Sequence, residues 1–236
     1  MNKSILAIVG DYYHQGDGIK EALKQAFSGL ESLGYRLEFI QHDSLEKSLG
    51  SSPAAVVIYR EDRVDPQHEN PRTWMTQAIE DAIVGYVQSG GSWLAWHAGM
   101  ASYPVPGMYT DMLRGHFEWH PKENAIVTYV PCASGESDIA GDFIVSGIDA
   151  FEFRDEHYFV SVRSEETRIF LRSKSNDGES IAGWCHQFGQ GRVCCITPAH
   201  SNEALRHEQM QRLLARSLAW CVAEQFADNS NVNVER

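Results

Sequence analysis

The sequence is short of basic residues and has no long apolar run. Its 236 residues include 20 Lys and Arg against 32 Asp and Glu, so the formal net charge is −12. A surface this negative repels phosphate backbones and anionic lipid head groups, which makes nucleic acids and membranes poor partners. The first apolar run ends after residue 10, short of a secretory signal core, and no run approaches the roughly 18 residues of a membrane span. We therefore expect a cytoplasmic protein.

Paired cysteines and phosphate-binding glycine motifs are also lacking. The five cysteines are odd in number and show no CxxC spacing, which favours reduced thiols over a disulfide framework. Residues 10–16, the loop after the first apolar run, contain neither a GxGxxG pattern nor a P-loop, and the acid in this loop would repel phosphate. We therefore expect no nucleotide cofactor.

Apolar runs and helical periodicity alternate in the first half of the chain. Continuous apolar runs are typical of strands buried on both faces of a parallel sheet. The order strand, helix, strand, strand, helix, strand predicts an α/β fold with a doubly wound, mainly parallel sheet. The strands are expected at residues 5–10, 35–40, 54–59 and 92–97, and the helices at 19–33 and 74–88.

The second half is less regular, and several of its strands are expected to be antiparallel. An amphipathic closing helix is predicted over residues 203–226, followed by a polar tail at 227–236. Because no linker is evident, residues 1–226 are expected to form a single domain. The strands of this half are predicted at residues 125–130, 158–162, 168–171, 180–185 and 192–197.

Polar loops follow the apolar strands, where ligands collect in an open parallel sheet. The first strand leads to Tyr13 and His14, the third to Arg60, and the fourth to His97. Residues 90–99 run from a strand into a tight turn of small residues with His97 at its tip, the geometry of a nucleophile elbow. An imidazole there can act as a base, an acid or a metal ligand. The alternative is a histidine satisfied by backbone at a strand end.

Four segments in sequence order resemble the ThuA-like proteins, which are named for trehalose utilisation. The first is the Gly-Gly-x-apolar-x-x-His-Ala pattern within residues 90–99, and the others lie within 111–121, 155–158 and 183–200. The resemblance spans roughly residues 4–222. It implies a flavodoxin-like, class I glutamine amidotransferase-like fold and a role in carbohydrate metabolism.

The amidotransferase-like fold also suggests partners for the elbow residue. In glutamine amidotransferases the elbow holds a cysteine paired with a histidine after a late strand. His200 resembles that histidine, and Glu203 its carboxylate partner. Because His97 replaces the cysteine, thiolate attack on an amide is excluded and the chain is not expected to be a glutaminase. The resemblance favours Glu156 and Tyr158 as pocket residues, with Glu156 and His200 as the acid–base pair.

A second constellation of ligand-type residues lies at His116, Glu118 and His120. In an extended segment these three side chains face the same way and could bind zinc or a similar divalent ion. The alternative is a solvated loop with two surface histidines.

The sequence thus predicts an enzyme that acts on a sugar or an oxidised sugar. Hydrolysis, elimination and isomerisation all need an acid and a base, and the sequence does not choose between them. The alternative is a non-catalytic module that binds a carbohydrate or a protein. A divalent metal such as zinc is the candidate cofactor, and homo-oligomers are common among enzymes of this size. The predicted catalytic residues are His97, His200 and Glu156, and the predicted substrate-binding residues are His14, Tyr13, Arg60, Tyr158, Trp184 and Glu203.

Overall fold

A computed structural model describes residues 3–132 and 139–223 of the protein. The strands are β1 (Ser4–Val9), β2 (Arg36–Phe39), β3 (Ala55–Tyr59), β4 (Ser92–Trp96), β5 (Gly115–Trp119), β6 (Ala125–Pro131), β7 (Phe151–Asp155), β8 (Phe159–Val162), β9 (Arg168–Ser175), β10 (Gly178–Phe188) and β11 (Gly191–Ile196). The α-helices are α1 (Gly16–Glu31), α2 (Leu45–Leu49), α3 (Gln77–Gln88), α4 (Met108–Leu113), α5 (Ile139–Val145), α6 (Asn202–Arg206) and α7 (Glu208–Val222).

Within the described residues, nine strands form one mixed sheet in the order β2-β1-β3-β4-β11-β10-β9-β6-β7. The first five strands in this order are parallel, and each later neighbour pairs antiparallel. Strands β5 and β8 form a separate antiparallel pair. The predicted fold, a mainly parallel α/β sheet with antiparallel strands in the second half, is confirmed.

The central strands are buried because apolar side chains on both of their faces meet a core. In β1, Ile5 and Ala7 pack into one core, while the intervening Leu6 and Ile8 pack into the other. Helices α1 and α7 cover the first core, and α3 and α4 cover the second. This two-sided cover is the physical reason why β1, β3 and β4 read as continuous apolar runs.

The predicted closing helix differs from the structure. The chain forms α6 and α7 in its place, separated by His207, whose backbone is extended at φ −63° and ψ 132°. Its ring packs against Phe151 and Phe153 of β7, so the break brings the helix pair against that strand. The predicted tail, residues 227–236, lies outside the described residues. No helix within residues 3–132 and 139–223 is long and apolar enough to cross a membrane.

The strand directions place several carboxyl ends at one edge of the sheet. Strand β7 runs in the same direction as β11, because four successive antiparallel pairings separate them. In a flat sheet, strands four positions apart would be separated by roughly 19 Å. The Asp155 carboxylate at the end of β7 nevertheless lies 2.8 Å from the backbone N of His200, beyond β11. The loop after β11 therefore brings His200 to the end of β7.

Candidate functional site

His97 occupies a strained turn directly after β4. Its φ of +47° is in the left-handed region that non-glycine residues rarely adopt. The turn passes so close to β3 that a side chain at Gly99 would collide with the backbone O of Ile58. The His97 side chain is fully buried. The backbone therefore has the geometry predicted for an elbow, with an imidazole at its tip.

Four side chains converge at this edge of the sheet, and we call them the histidine–glutamate cluster. They are His14 after β1, His97 after β4, Glu156 after β7 and His200 after β11. One potential ligand atom from each lies within 4.8 Å of those of all the others. The structure thus brings together the three predicted catalytic residues, and it adds His14, which the sequence assigned to substrate binding.

Glu156 lies between two of the imidazoles. Its Oε2 atom is 3.5 Å from Nε2 of His97 and 3.3 Å from Nδ1 of His200. The ring of His14 packs edge-on against the His97 ring, with centroids 5.4 Å apart, and against the His200 ring at 4.8 Å. The side chains of His200 and Glu156 are 25% and 17% exposed, so the cluster faces solvent on their side.

The orientations of His14 and His97 are set by hydrogen bonds from their Nδ1 atoms. Nδ1 of His97 donates to the backbone O of Thr197 at 2.7 Å, and Nδ1 of His14 donates to Oδ1 of Asp11 at 2.6 Å. Because Nδ1 of each ring is used in these contacts, Nε2 is the ring nitrogen left to face the cluster.

Asp11 is built into the loop that carries His14. The carboxylate accepts hydrogen bonds from the backbone N–H groups of Tyr13, His14 and Glu61. Burial acts to raise the pKa of Asp11, but the interactions with His14 and these N–H groups outweigh it and lower the pKa below its usual value. The carboxylate is therefore ionised and holds the imidazole of His14 in place.

Three nitrogen atoms of the cluster are buried without any hydrogen-bond partner in the described residues. They are Nε2 of His14, Nε2 of His97 and Nδ1 of His200. Buried polar atoms in folded proteins are nearly always hydrogen-bonded, so three such atoms in one place call for an explanation. All three belong to groups that face Glu156 or one another.

The pKa shifts within the cluster have opposite signs. Burial lowers the pKa of His97 to about 4, despite the opposing effect of Glu156. Burial also acts to lower the pKa of His200, but Glu156, Asp155 and Asp11 outweigh it and raise that pKa. For Glu156, burial acts to raise the pKa, yet interactions with His200 and His97 hold it well below its usual range. An ionised carboxylate thus lies between a neutral imidazole and one that holds a proton readily.

Asp155 and Tyr158 support the cluster from either side of Glu156. The fully buried carboxylate of Asp155 accepts the backbone N–H groups of His200 and Ser201, which fixes the loop carrying His200. Burial raises the pKa of Asp155 to about 6, although these N–H groups oppose the shift. The ring of Tyr158 stacks on His97 with centroids 3.9 Å apart. The resemblance favoured Tyr158 as a pocket residue, and the structure places its ring against His97.

Two other predicted substrate-binding residues lie on the loops around the cluster. Tyr13 is 52% exposed, packs edge-on against the equally exposed Tyr12, and directly precedes His14. Arg60 uses Nη1 to donate to the backbone O of Gly10 at 2.7 Å, so it joins the loops after β1 and β3. Tyr13 is therefore free to contact a ligand, whereas Arg60 holds the loop that carries His14.

The structure does not support a ligand-binding role for Trp184 or Glu203. Trp184 is fully buried in the core, and its indole N–H donates to the backbone O of Leu113 at 2.8 Å. Glu203 is exposed in the first turn of α6, where Ser201 caps the helix. The carboxylates that face His200 are Glu156 and Asp155 instead, because the helix turns Glu203 outward.

The predicted metal ligands His116, Glu118 and His120 do not form a ligand cluster. Within residues 3–132 and 139–223, the histidine–glutamate cluster is the group whose ligand atoms are close enough to share an ion, and it does not include these three residues. Residues 117 and 119 pair with consecutive residues of β8, so Glu118 forms a β-bulge that breaks the expected alternation. Glu118 instead lines a cleft of about 350 Å³ together with the partly exposed Trp119.

The cysteines take no part in the cluster. None of the five forms a disulfide bond, and four of them are buried. Burial raises the pKa of Cys194 and Cys195, which keeps both as protonated thiols.

Sequence reasoning missed the roles of Asp11 and Thr197. An acidic residue three positions before His14, at the end of a buried strand, is a local signal that could have identified Asp11. Thr197 acts through its backbone oxygen, so its side chain carries no signal.

Comparison with known proteins agrees with these observations. No curated protein sequence matches the chain. Putative ThuA-like proteins from Bacteroides uniformis and Parabacteroides merdae superpose with TM-scores of 0.69 and 0.70, at 13% and 16% identity. The matches cover 94% of this chain in both cases, and 92% and 91% of the other chains. A cytoplasmic protein from Salmonella typhimurium LT2 superposes with a TM-score of 0.61 at 14% identity, over 91% of this chain and 98% of its own.

At these identities the structural neighbours establish the fold alone. The family follows from the sequence match, in which residues 18–221 fit the ThuA family, described as trehalose utilisation. This match covers most of the chain and supports a carbohydrate-related role. The chain belongs to the ThuA family.

Proposed function

We propose that this protein is a carbohydrate-metabolism enzyme that transfers protons to and from a sugar or an oxidised sugar at the histidine–glutamate cluster. One observation carries the proposal: within the part of the chain that the structure describes, three buried imidazole nitrogens without hydrogen-bond partners converge with a carboxylate at the carboxyl edge of a parallel sheet. Such edges are where α/β folds bind ligands, and unsatisfied buried polar groups are costly unless they serve a function.

Glu156 and His200 are the members of the cluster suited to exchange protons with a substrate. Both are partly exposed, whereas His97 is fully buried. A carboxylate beside an imidazole of raised pKa supplies a base and an acid within one substrate length. His97 lies beside the carboxylate, with Nε2 3.5 Å from Oε2, and the backbone O of Thr197 fixes the His97 ring. Hydrolysis, elimination and isomerisation all remain open to this pair.

The sugar is suggested by the family description together with the surroundings of the cluster. Tyr12 and Tyr13 expose 59% and 52% of their surface beside His14, and apolar ring faces stack on the C–H faces of sugars. The proposed partner is therefore a small carbohydrate. A structural neighbour named as a cytoplasmic protein favours the same compartment for this chain.

A panel of native and oxidised mono- and disaccharides, followed by proton nuclear magnetic resonance, tests the proposal. The wild-type protein should convert at least one sugar, and Glu156→Gln and His200→Gln should each abolish that conversion. Glu118→Gln, the same change at an exposed site outside the cluster, should convert at the wild-type rate. Circular dichroism establishes that each variant is folded.

Two results would contradict the proposal. Conversion that survives both cluster variants would place the reaction elsewhere. A sugar that binds but is never converted, with equal affinity for wild type and Glu156→Gln, would identify a non-catalytic binding module.

A further inference from the structure

The three nitrogens without hydrogen-bond partners and the Glu156 carboxylate form a set of potential ligand atoms for an ion. The distances from Glu156 Oε2 to the His97 and His200 nitrogens, 3.5 and 3.3 Å, exceed the roughly 2.7–2.9 Å of a charge-assisted hydrogen bond. The contacts of both nitrogens with the carboxylate are therefore long. Nε2 of His14 also faces the cluster and has no proton donor within reach in the described residues. Three ring nitrogens and a carboxylate oxygen thus converge within 4.8 Å of one another.

We propose that the histidine–glutamate cluster binds one divalent transition-metal ion through Nε2 of His14, Nε2 of His97, Nδ1 of His200 and a carboxylate oxygen of Glu156. This inference refines the proposed function, because it assigns a cofactor to the same site.

The spacing of the donor atoms fits an ion. Atoms bound at about 2.0–2.2 Å to a tetrahedral zinc ion lie about 3.3–3.6 Å from one another. The separations of 3.3 and 3.5 Å at Glu156 match this range, and the remaining pairs, at no more than 4.8 Å, need only small side-chain adjustments. Imidazole nitrogens with one carboxylate suit zinc and its neighbours in the first transition row, and magnesium and calcium poorly.

The outer hydrogen bonds are those that metal-binding histidines use. A histidine ligand usually donates its other ring N–H to a carboxylate or a backbone carbonyl, which fixes the ring and strengthens the ligand. Asp11 serves His14 in this way at 2.6 Å, and the backbone O of Thr197 serves His97 at 2.7 Å. Asp155 fixes the backbone that carries His200. These contacts orient the ligand atoms before an ion binds.

An ion at this position would be reached from the side of His200 and Glu156, where the cluster is partly exposed. Zinc can expand to five ligands, so a water or sugar hydroxyl would bind beside the four protein atoms, and the ion would lower its pKa toward neutrality. In the metal-bound protein, Glu156 and His200 would then serve the proposed proton transfer as ligands of the ion, and the coordinated hydroxyl would supply the proton.

Zinc titration of the full-length, untagged, chelator-stripped protein by isothermal titration calorimetry at pH 7.5 tests the inference. We expect one tight zinc site per chain and no comparable site for magnesium. Glu156→Gln and His200→Gln should weaken zinc binding by more than the roughly 10- to 100-fold that loss of an outer partner costs, and Asp11→Asn should weaken it within that range. The double variant His116→Gln/His120→Gln, which removes two histidines outside the cluster, should bind zinc like the wild type.

Circular dichroism establishes whether each variant is folded. If His200→Gln does not fold, Glu156→Gln still tests the site, because glutamine has nearly the same shape as glutamate. The inference is overturned if the stripped protein takes up no stoichiometric zinc, or if affinity falls in the 116/120 double variant and not in the cluster variants. Zinc binding without conversion of any sugar would support the ion site and refute the proposed function. Sugar conversion by stripped protein that binds no zinc would support the proposed function and refute the ion site.

Discussion

His97 and His186 offer a comparison between two buried imidazoles in one molecule. Burial lowers the pKa of each to about 4. His186 uses both ring nitrogens, with Nε2 2.9 Å from the backbone O of Met112 and Nδ1 3.0 Å from Oγ1 of Thr167. His97 uses Nδ1 alone, and its Nε2 has no partner.

The difference teaches how to separate structural from functional histidines in this fold. Burial and a lowered pKa are common to both residues and therefore do not discriminate. A ring nitrogen without a partner does not discriminate either, because Nδ1 of His42 and Nδ1 of His207 also lack one in the described residues. The cluster differs in that three such nitrogens converge with a carboxylate, and each destabilises the folded state unless a ligand or reacting group satisfies it. His157 belongs with His186, since its two nitrogens contact the hydroxyl groups of Ser175 and Ser173.

The largest expected effect is on turnover. Glu156→Gln should lower kcat/KM for the converted sugar by about 100- to 10,000-fold, because it removes the carboxylate from the acid–base pair. Steady-state kinetics measures this loss, with Glu118→Gln as the matched control. A variant that retained more than a tenth of wild-type turnover would show that Glu156 does not belong to the acid–base pair.

The next effect is on thermal stability in the presence of zinc. Free zinc at about 1,000 times its Kd should stabilise the wild-type protein by about 4 kcal/mol, which corresponds to a rise in Tm of roughly 8–16 °C for a chain of this size. Differential scanning calorimetry measures the shift. His186→Gln should keep the full shift, and Glu156→Gln should lose most of it. Equal Tm shifts in the two variants would show that Glu156 contributes no more to zinc binding than His186 does.

A smaller effect is expected from truncating the structural histidine. His186→Ala should lower the free energy of unfolding by about 2–4 kcal/mol, because it leaves a cavity and frees the partners of both ring nitrogens. Urea unfolding followed by circular dichroism measures the change. Zinc affinity should stay at the wild-type value, and a parallel loss of zinc affinity would show that His186 also supports the cluster.

The smallest effect concerns the pH dependence of stability. The pKa of His186 is lowered by burial and by the nearby Arg114 and Arg163, while the Met112 carbonyl opposes the shift. Between pH 6.5 and 4 the unfolded chain binds a proton at this residue that the folded chain does not, so stability falls as the pH falls. The contribution of His186 should decrease by about 2 kcal/mol between pH 7.5 and 5. Urea unfolding in zinc-free buffer should show a shallower pH dependence for His186→Gln, and equal slopes would refute this account.

Much of the first half of the fold was predictable because its signals are local. Strands β1, β3 and β4 are buried on both faces, so their sequences are apolar without interruption. Strand β7 was missed, although Phe151, Phe153 and Asp155 alternate toward one face. A five-residue strand at a sheet edge depends on its neighbours for stability, and those neighbours are distant in sequence.

The candidate site was only partly predictable, for the same reason. His97 stands out because its elbow is a local pattern that the contact at Gly99 enforces. Glu156 and His200 were identified by resemblance alone. The metal prediction at His116, Glu118 and His120 was based on strand alternation, which the bulge at Glu118 interrupts. Local spacing cannot anticipate a bulge that depends on the pairing of β5 with β8.

The sequence by itself determined the α/β class, the elbow with a histidine in place of a thiol, and the family, because each depends on residues close together in the chain. Only the tertiary structure decided that His14, His97, Glu156 and His200 share one centre, and that Trp184 and Glu203 do not belong to it. The four side chains follow strands far apart in sequence. They meet because β1, β4, β7 and β11 run in the same direction, which places their carboxyl ends at a single edge of the sheet.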